Sequence, residues 1–144
     1  MKKTTTVITI FFLAIIAFSS CSKVDSLVAP STSARIQQGK WKVTLYSEDS
    51  VDKTSRFNNY EFSFTGNSIT AVKGSTTISG TWSIGMEDDD DDSSEKFIMN
   101  FGSIVPFDEL NDDWNLVEET STKLRLEDVS GGHGGTDLLT FEKI

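Results

Sequence analysis

From residue 40 onward, apolar and polar residues alternate along the chain with a period of two. In the stretch WKVTL, residues 41–45, the side chains of Trp41, Val43 and Leu45 fall on one face. Such alternation is typical of antiparallel strands with one buried and one solvated face, so it predicts an all-β fold. The predicted strands cover residues 40–45, 60–64, 68–73, 77–84, 97–101, 114–119, 123–127 and 138–143.

Short turn signals separate these strands. The sequences Thr65-Gly66-Asn67-Ser68 and Lys73-Gly74-Ser75 suit tight hairpins. Eight short strands joined by hairpins predict a single domain, an antiparallel up-and-down meander that closes into an eight-stranded β-barrel. Closure would also remove the exposed strand edges that invite aggregation. A β-sandwich built from the same strands is the alternative.

Two segments depart from the period of two. Residues 31–38 are expected to form a short helical turn before the first strand. Residues 103–113, SIVPFDELNDD, are expected to form a loop or a single helical turn, with Val105, Phe107 and Leu110 packed on the end of the barrel. This segment is interpreted either as a structural plug or as a lid over a ligand.

The start of the chain carries a different pattern. Two lysines are followed by an apolar run, VITIFFLAIIAF, at residues 7–18. The run is shorter than the roughly 20 apolar residues that a membrane-spanning helix needs. A basic start, an apolar middle and a small-residue end are typical of an export signal, so residues 1–21 are excluded from the fold.

The only cysteine of the chain ends this signal. Phe18-Ser19-Ser20-Cys21 resembles a bacterial lipobox, in which the cysteine becomes the lipidated first residue of the mature protein. The resemblance implies that Cys21 is a lipidation site and that the mature protein is anchored to a membrane. A plain secreted protein with a free thiol is the alternative, and a disulfide within one chain is excluded.

A linker separates Cys21 from the predicted barrel. Residues 22–34, SKVDSLVAPSTSA, are small and polar, and we expect a flexible tether with a span of about 20 Å. Residues 35–144 then form the barrel domain. Ser22 stands where some sorting systems read a retention aspartate, and by resemblance this favours the outer membrane. A periplasmic and a surface-facing orientation both remain open.

The charge balance bears on the choice of partners. Without residues 1–21 the chain keeps 11 basic against 22 acidic residues, a formal charge of −11. A strongly acidic domain disfavours nucleic acid and gives no electrostatic attraction to anionic lipid. The charge is consistent with solubility beside a negative surface.

Few residues in the sequence suggest chemistry. The run MEDDDDD, residues 86–92, fails the EF-hand spacing because Ser93 and Met99 stand where glycine and glutamate are needed. A solvated segment is expected there, with loose calcium binding as the alternative. The single histidine, His133, lies in a glycine-rich loop at residues 131–137. We therefore expect neither an enzyme nor a metal site nor a cofactor.

A family resemblance begins at Gly39-Lys40-Trp41. A G-x-W triplet that opens the first strand of a meander barrel resembles the lipocalin family, and residues 36–144 resemble the small lipocalin-like lipoproteins of Bacteroidota. The further segments that carry this resemblance are TISGTWSI at 77–84, PFDELNDDW at 106–114 and GGTDLLTFEKI at 134–144. The arginine that packs over the tryptophan in lipocalins has no clear equivalent, and Lys143 is the candidate for that role.

The resemblance implies a carrier of a small hydrophobic molecule held inside the barrel. The candidate wall residues of this interior site are Trp41, Tyr60, Phe62, Trp82 and Phe97. Large rings on short strands also fit a barrel filled by its own side chains. The alternative function is therefore a filled, monomeric barrel that serves as a protein- or glycan-interaction module of the cell envelope.

The lipidation hypothesis predicts the behaviour of Cys21→Ser. Without a thiol to acylate, this variant is expected to give an unprocessed or soluble product, because one or more buried acyl chains supply the membrane affinity. Detergent phase partitioning of the variant and the unmutated chain measures this. Retention of the variant with the membrane fraction would show that lipidation at Cys21 is wrong.

Overall fold

The computed structural model describes residues 31–86, 95–129 and 135–144. The proposed signal and Cys21, tether residues 22–30, the acidic run 87–92 and His133 lie outside the described residues. The elements are α1 (Thr32–Ile36), β1 (Trp41–Glu48), β2 (Val51–Asp52), a 3₁₀ helix (Thr54–Phe57), β3 (Glu61–Thr65), β4 (Ser68–Lys73), β5 (Thr76–Met86), β6 (Glu95–Asn100), a second 3₁₀ helix (Phe107–Leu110), β7 (Asp112–Glu119), β8 (Lys123–Val129) and β9 (Thr136–Lys143).

The strands form one closed antiparallel barrel. Strands β3 to β9 pair consecutively, and β1 pairs with β3 on one side and with β9 on the other. The two-residue strand β2 pairs only with the end of β1, so eight strands make up the wall within the described residues. This confirms the predicted up-and-down barrel over the sandwich, and it is consistent with a calycin-like fold.

A β-bulge interrupts β1. Val43 pairs with Phe141 but Leu45 pairs with Thr140, so Thr44 is an extra residue in β1. An extra residue reverses the alternation of faces. The prediction that Leu45 points inward is therefore wrong: Leu45 is half-buried, and Tyr46 is the buried residue, 1% exposed.

The predicted interior otherwise forms the core. Four of the expected inward residues are only partly buried against it, namely Tyr60, Ile78, Ile84 and Leu116. Apart from Phe107 and Leu110 of the 103–113 segment, the described buried hydrophobic residues that the alternation did not place inside are Ile36, Tyr46 and Phe57. Ile36 and Phe57 come from short helices rather than strands, which a period of two cannot detect.

Helix α1 is bonded to hairpins at one end of the barrel, and the helical turn predicted for residues 31–38 is confirmed. Ser31 caps it by accepting from the Ala34 N–H, and Ile36 is buried beneath it. The helix begins at Thr32, within the last residues assigned to the tether. Among the described residues, no helix has the length and apolar character needed to cross a membrane.

The second 3₁₀ helix plugs the opposite end. Phe107 and Leu110 are buried as predicted, and the Phe107 ring meets Phe57 edge-to-face at 5.5 Å. Val105 is 78% exposed, so the prediction that it packs on the barrel end is wrong. It precedes the helical turn, and only the turn itself faces the core.

Two glycines of β5 allow a matched test of the packing between β5 and β6. A Cβ atom on Gly80 would lie 2.5 Å from the Asn100 carbonyl oxygen and 2.8 Å from the Phe101 ring, whereas one on Gly85 would meet only Ile98 at 3.5 Å. We expect Gly80→Ala to lower the free energy of unfolding by about 1–3 kcal/mol, because β6 must shift. Gly85→Ala should stay within about 0.5 kcal/mol of the unmutated chain. Chemical denaturation measures both, and equal stabilities would contradict the close approach of β5 and β6.

Candidate functional site

Four of the five candidate wall residues form a sealed core. Trp41, Phe62 and Phe97 are 0% exposed and Trp82 is 3% exposed. A side chain that lined a water-sized cavity would carry accessible surface, so Trp41, Phe62 and Phe97 line no such space in this structure, and Trp82 retains only a small accessible fraction. The barrel around them is close-packed in the manner of ordinary protein interiors.

Aromatic contacts explain how these rings fill the barrel. Trp82 stacks on Phe97 with ring centroids 5.4 Å apart, and Phe64 meets both rings edge-to-face at 5.2 and 5.8 Å. Phe141 joins this group to Phe62 at 5.2 Å. These are the offset and T-shaped geometries that aromatic pairs prefer. The rings contact one another, so these side chains fill the interior of the barrel.

Trp41 stabilises the end of the barrel that carries α1. Its indole N–H donates to the Ile36 carbonyl at 2.9 Å, and the Lys143 ammonium lies 4.8 Å from the centre of its ring. Lys143 thus occupies the place proposed for it over the tryptophan, as a cation–π contact. Gly39 has a φ of +83°, a conformation that side chains other than glycine rarely adopt. The G-x-W triplet has a structural role here.

Trp82 carries an unpartnered polar atom. Its indole N–H is buried and has no hydrogen-bond acceptor within the described part of the chain. A buried donor without an acceptor costs about 1–3 kcal/mol. The described residues hold two other buried side-chain atoms without a partner, Asp108 Oδ1 and Glu109 Oε2, and both belong to the plug rather than to the ring cluster.

Tyr60, the fifth candidate, lies apart from the other four. Its ring is half-buried, meets Phe107 edge-to-face at 5.0 Å and has the Lys73 ammonium 5.2 Å from its centre. These contacts hold the ring at the surface end of the plug. Of the five candidates, Tyr60 alone borders open space.

That open space is a cleft of about 480 Å³ between β1 and β3, here called the β1–β3 cleft. Its lining combines amide, charged and apolar side chains with one phenol. The lining residues are Lys42, Val43, Phe57, Asn58, Asn59, Tyr60, Glu61 and Ile144.

The cleft exists because β1 and β3 separate. In the described chain, Trp41 with Phe62 is the only register pair between them. Beyond it, Asn59 takes a φ of +67° and the Tyr60 N–H donates back to the Phe57 carbonyl at 3.2 Å. Residues 58–60 therefore belong to the turn after the first 3₁₀ helix, and the ladder does not continue.

The separation leaves one backbone position of β1 facing the cleft. The Ile144 N–H donates to the Lys40 carbonyl across the β1–β9 ladder at 2.9 Å. Because hydrogen-bonding groups alternate sides along a strand, those of Trp41 and Val43 face β3. Trp41 has its partner there, and the structure records no ladder pair for Val43 toward β3.

Tyr46 is the next residue of β1 whose backbone groups face this side, and both groups are already hydrogen-bonded. The Tyr46 N–H donates to Thr54 Oγ1 at 2.9 Å, and the Lys53 N–H donates to the Tyr46 carbonyl at 2.8 Å. The open stretch of backbone is thus bounded at both ends. Among the described β1 residues between Trp41 and Tyr46, Val43 is the one whose N–H and C=O the alternation directs into it.

Charges of both signs flank the cleft. Lys42 is exposed, and Glu61 forms an ion pair with Lys40 at 2.5 Å. Asn58 and Asn59 are exposed and neutral. The period of two identifies Tyr60 as a candidate, but the asparagines lie in a turn that carries no functional signal. Only the bulge and the turn bring them beside β1.

A buried tyrosine lies deeper on the same side of the barrel. Burial, above all, and the Asp137 carboxylate raise the pKa of Tyr46 to about 12. Its hydroxyl donates to the Glu109 carbonyl at 3.1 Å. Tyr46 therefore stays protonated and ties β1 to the plug, which makes its role structural.

The acidic residues assemble no metal site in the part of the chain that the structure describes, where no three His, Cys, Asp or Glu side chains are placed to hold an ion. Burial is the main cause of a raised pKa at Asp112, and the neighbouring carboxylates of Asp113 and Asp128 add to it.

A scan against protein-family models and a search of curated proteins found no match to this chain.

The raised pKa of Asp112 predicts a pH-dependent effect of Asp112→Asn. A carboxyl with a raised folded pKa contributes stability that is present below its ordinary pKa of 3.8 and lost as the pH rises through its folded pKa. Asparagine does not titrate and keeps an oxygen for the Asp113 N–H, which donates at 2.8 Å. We expect the variant to be the more stable protein at pH 7, and the gap to close toward pH 3. Denaturation at several pH values measures this, and a gap that widens with acid would contradict it.

Proposed function

We propose that this protein is a lipid-anchored protein of the cell envelope, related to the lipocalin-like lipoproteins, whose filled barrel is a scaffold for binding at its surface. The lipobox-like sequence that ends at Cys21 supports the anchor, and Ser22, which stands where some sorting systems read a retention aspartate, supports the outer-membrane location. The observation that carries the surface-binding role is the sealed core around Trp41, Phe62 and Phe97. With the interior occupied by side chains, ligands meet the outside of the barrel.

Catalysis and nucleic-acid binding have no support in the sequence. The chain has one histidine and one cysteine, and the cysteine is committed to lipid in this proposal. The excess of acidic residues repels a phosphate backbone. The proposed protein is therefore a monomeric binding module that stays attached to its membrane.

A second function, the carriage of a small hydrophobic molecule, has one observation in its favour. The buried indole N–H of Trp82 lacks an acceptor in the described residues, and a ligand with a carbonyl or ether oxygen would supply one. Such a ligand would have to enter the packed interior, because Trp82 is only 3% exposed and its neighbour Phe97 is 0% exposed. The carrier hypothesis therefore requires the core to open.

Trp82 variants separate the two functions. In a filled barrel, Trp82→Ala is expected to lower the free energy of unfolding by about 3–5 kcal/mol, as a core truncation. Trp82→Phe keeps an aromatic ring and removes only the indole N–H and part of the volume, so it should cost less. Chemical denaturation of the full chain and its variants measures both.

Native mass spectrometry of the freshly purified full chain completes the test. The surface-binding proposal expects the mass of the lipidated chain with no added small molecule. A discrete added mass that is lost on denaturation and absent from Trp82→Phe, in a variant that keeps its stability, would overturn the proposal in favour of the carrier.

A further inference from the structure

The β1–β3 cleft has the size of a ligand site and the shape for a compact ligand. Its volume of about 480 Å³ lies within the roughly 300–1,000 Å³ that small-molecule sites occupy. The pair Trp41–Phe62 closes the β1–β3 ladder on one side, and the Tyr46–Thr54 bond closes the stretch on the other. An added peptide strand needs a run of backbone bonds, and this stretch offers a single position.

The backbone of Val43 can pair with one amide group of a ligand. Val43 presents one N–H donor and one C=O acceptor to the cleft, and a secondary amide carries one acceptor and one donor of its own. Ile144, which is exposed, also lines the cleft and supplies apolar surface. An amide bearing a small methyl group therefore matches this part of the cleft.

The remaining lining suits a ligand rich in hydroxyl groups. The side-chain amides of Asn58 and Asn59 and the Tyr60 hydroxyl each donate and accept hydrogen bonds, as sugar hydroxyls do. The Tyr60 ring is held in place by Phe107 and Lys73 and adds an apolar surface. Hydroxyl groups around a compact ring would find partners on this side.

The charges of the cleft favour a neutral ligand. Lys42 and Glu61 carry opposite signs, so neither a strong anion nor a strong cation is selected. Asn59 is held at a φ of +67°, a backbone conformation that is uncommon for residues other than glycine and clusters at functional sites. This backbone conformation forms the turn that places Asn59 in the lining of the cleft.

We propose that the β1–β3 cleft binds an N-acetylated amino sugar unit of a neutral glycan. The acetamido group pairs with the Val43 backbone, and the ring hydroxyls meet Asn58, Asn59 and Tyr60. This inference rests on the proposed surface-binding function and names its ligand class. An unacetylated sugar lacks the group that Val43 recognises.

Titration of the full chain with two matched disaccharides tests the proposal. The protein is labelled with ¹⁵N-valine and ¹⁵N-asparagine and purified in a detergent without a sugar headgroup. N,N′-diacetylchitobiose is expected to shift the amide resonances of Val43 and Asn59. Cellobiose has the same linkage with hydroxyl in place of acetamido, and we expect it to bind at least tenfold more weakly.

Two asparagine variants give the residue-level control. Asn59→Gly tolerates the left-handed backbone and removes the amide, so we expect a three- to tenfold weaker affinity, roughly one lost hydrogen bond. Asn67→Gly makes the same change in the β3–β4 turn at the other end of the barrel and should bind as the unmutated chain does. The unperturbed valine resonances show that both variants stay folded.

Three results would overturn the proposal. They are the absence of a shift at Val43 and Asn59, equal affinity for cellobiose, and tighter binding of the blocked dipeptide N-acetylalanine N′-methylamide, which would assign the cleft to peptide. None of these affects the surface-binding function itself. That function fails only if a molecule is found inside the barrel.

Discussion

The pairing of β1 with β9 is the constraint on which the rest of the structure depends. It joins the first and last strands of the wall from Trp41 to Ser47 and thereby closes the barrel. On its other edge β1 pairs with β3 only at Trp41 and Phe62, within the described residues. The bulge at Thr44 lets β1 turn toward the first 3₁₀ helix while it stays bonded to β9. The β9 edge of β1 thus closes the barrel, and the cleft lies along its β3 edge.

The sequence determines the strands far better than it determines the cleft. The period of two placed Phe62, Phe64 and Phe97 inside, because each lies in a regular strand whose faces alternate. It failed at Leu45 and Tyr46, where one inserted residue reverses the faces, and at Phe57, which a 3₁₀ helix brings to the core. A bulge is set by the fit between two distant strands, so it leaves no local pattern.

The candidate site shows the same limit more strongly. Tyr60 was identified, but as an interior wall residue beside Trp82, whereas it lies at the surface beside the plug. The asparagines at 58 and 59 read as ordinary turn residues, since nothing local says which strand they will face. Val43 contributes through its backbone, and no side-chain pattern predicts a backbone group that a neighbouring strand leaves unpaired. The register of β1 with β3 and β9 is what identifies the site.

Helix α1 has a mechanical consequence for a protein held by its N-terminal segment. In the lipid-anchored form that we propose, a pull from the membrane enters the described fold at Ser31. It reaches first the Arg35–Glu119 ion pair, the bond from the Gly66 N–H to Gln37 Oε1 and the Trp41–Ile36 bond. Only after these yield would β1 be loaded. A pull directed along β1 would then load its bonds to β9 in shear, all together, because β9 pairs with β1 from Trp41 to Ser47.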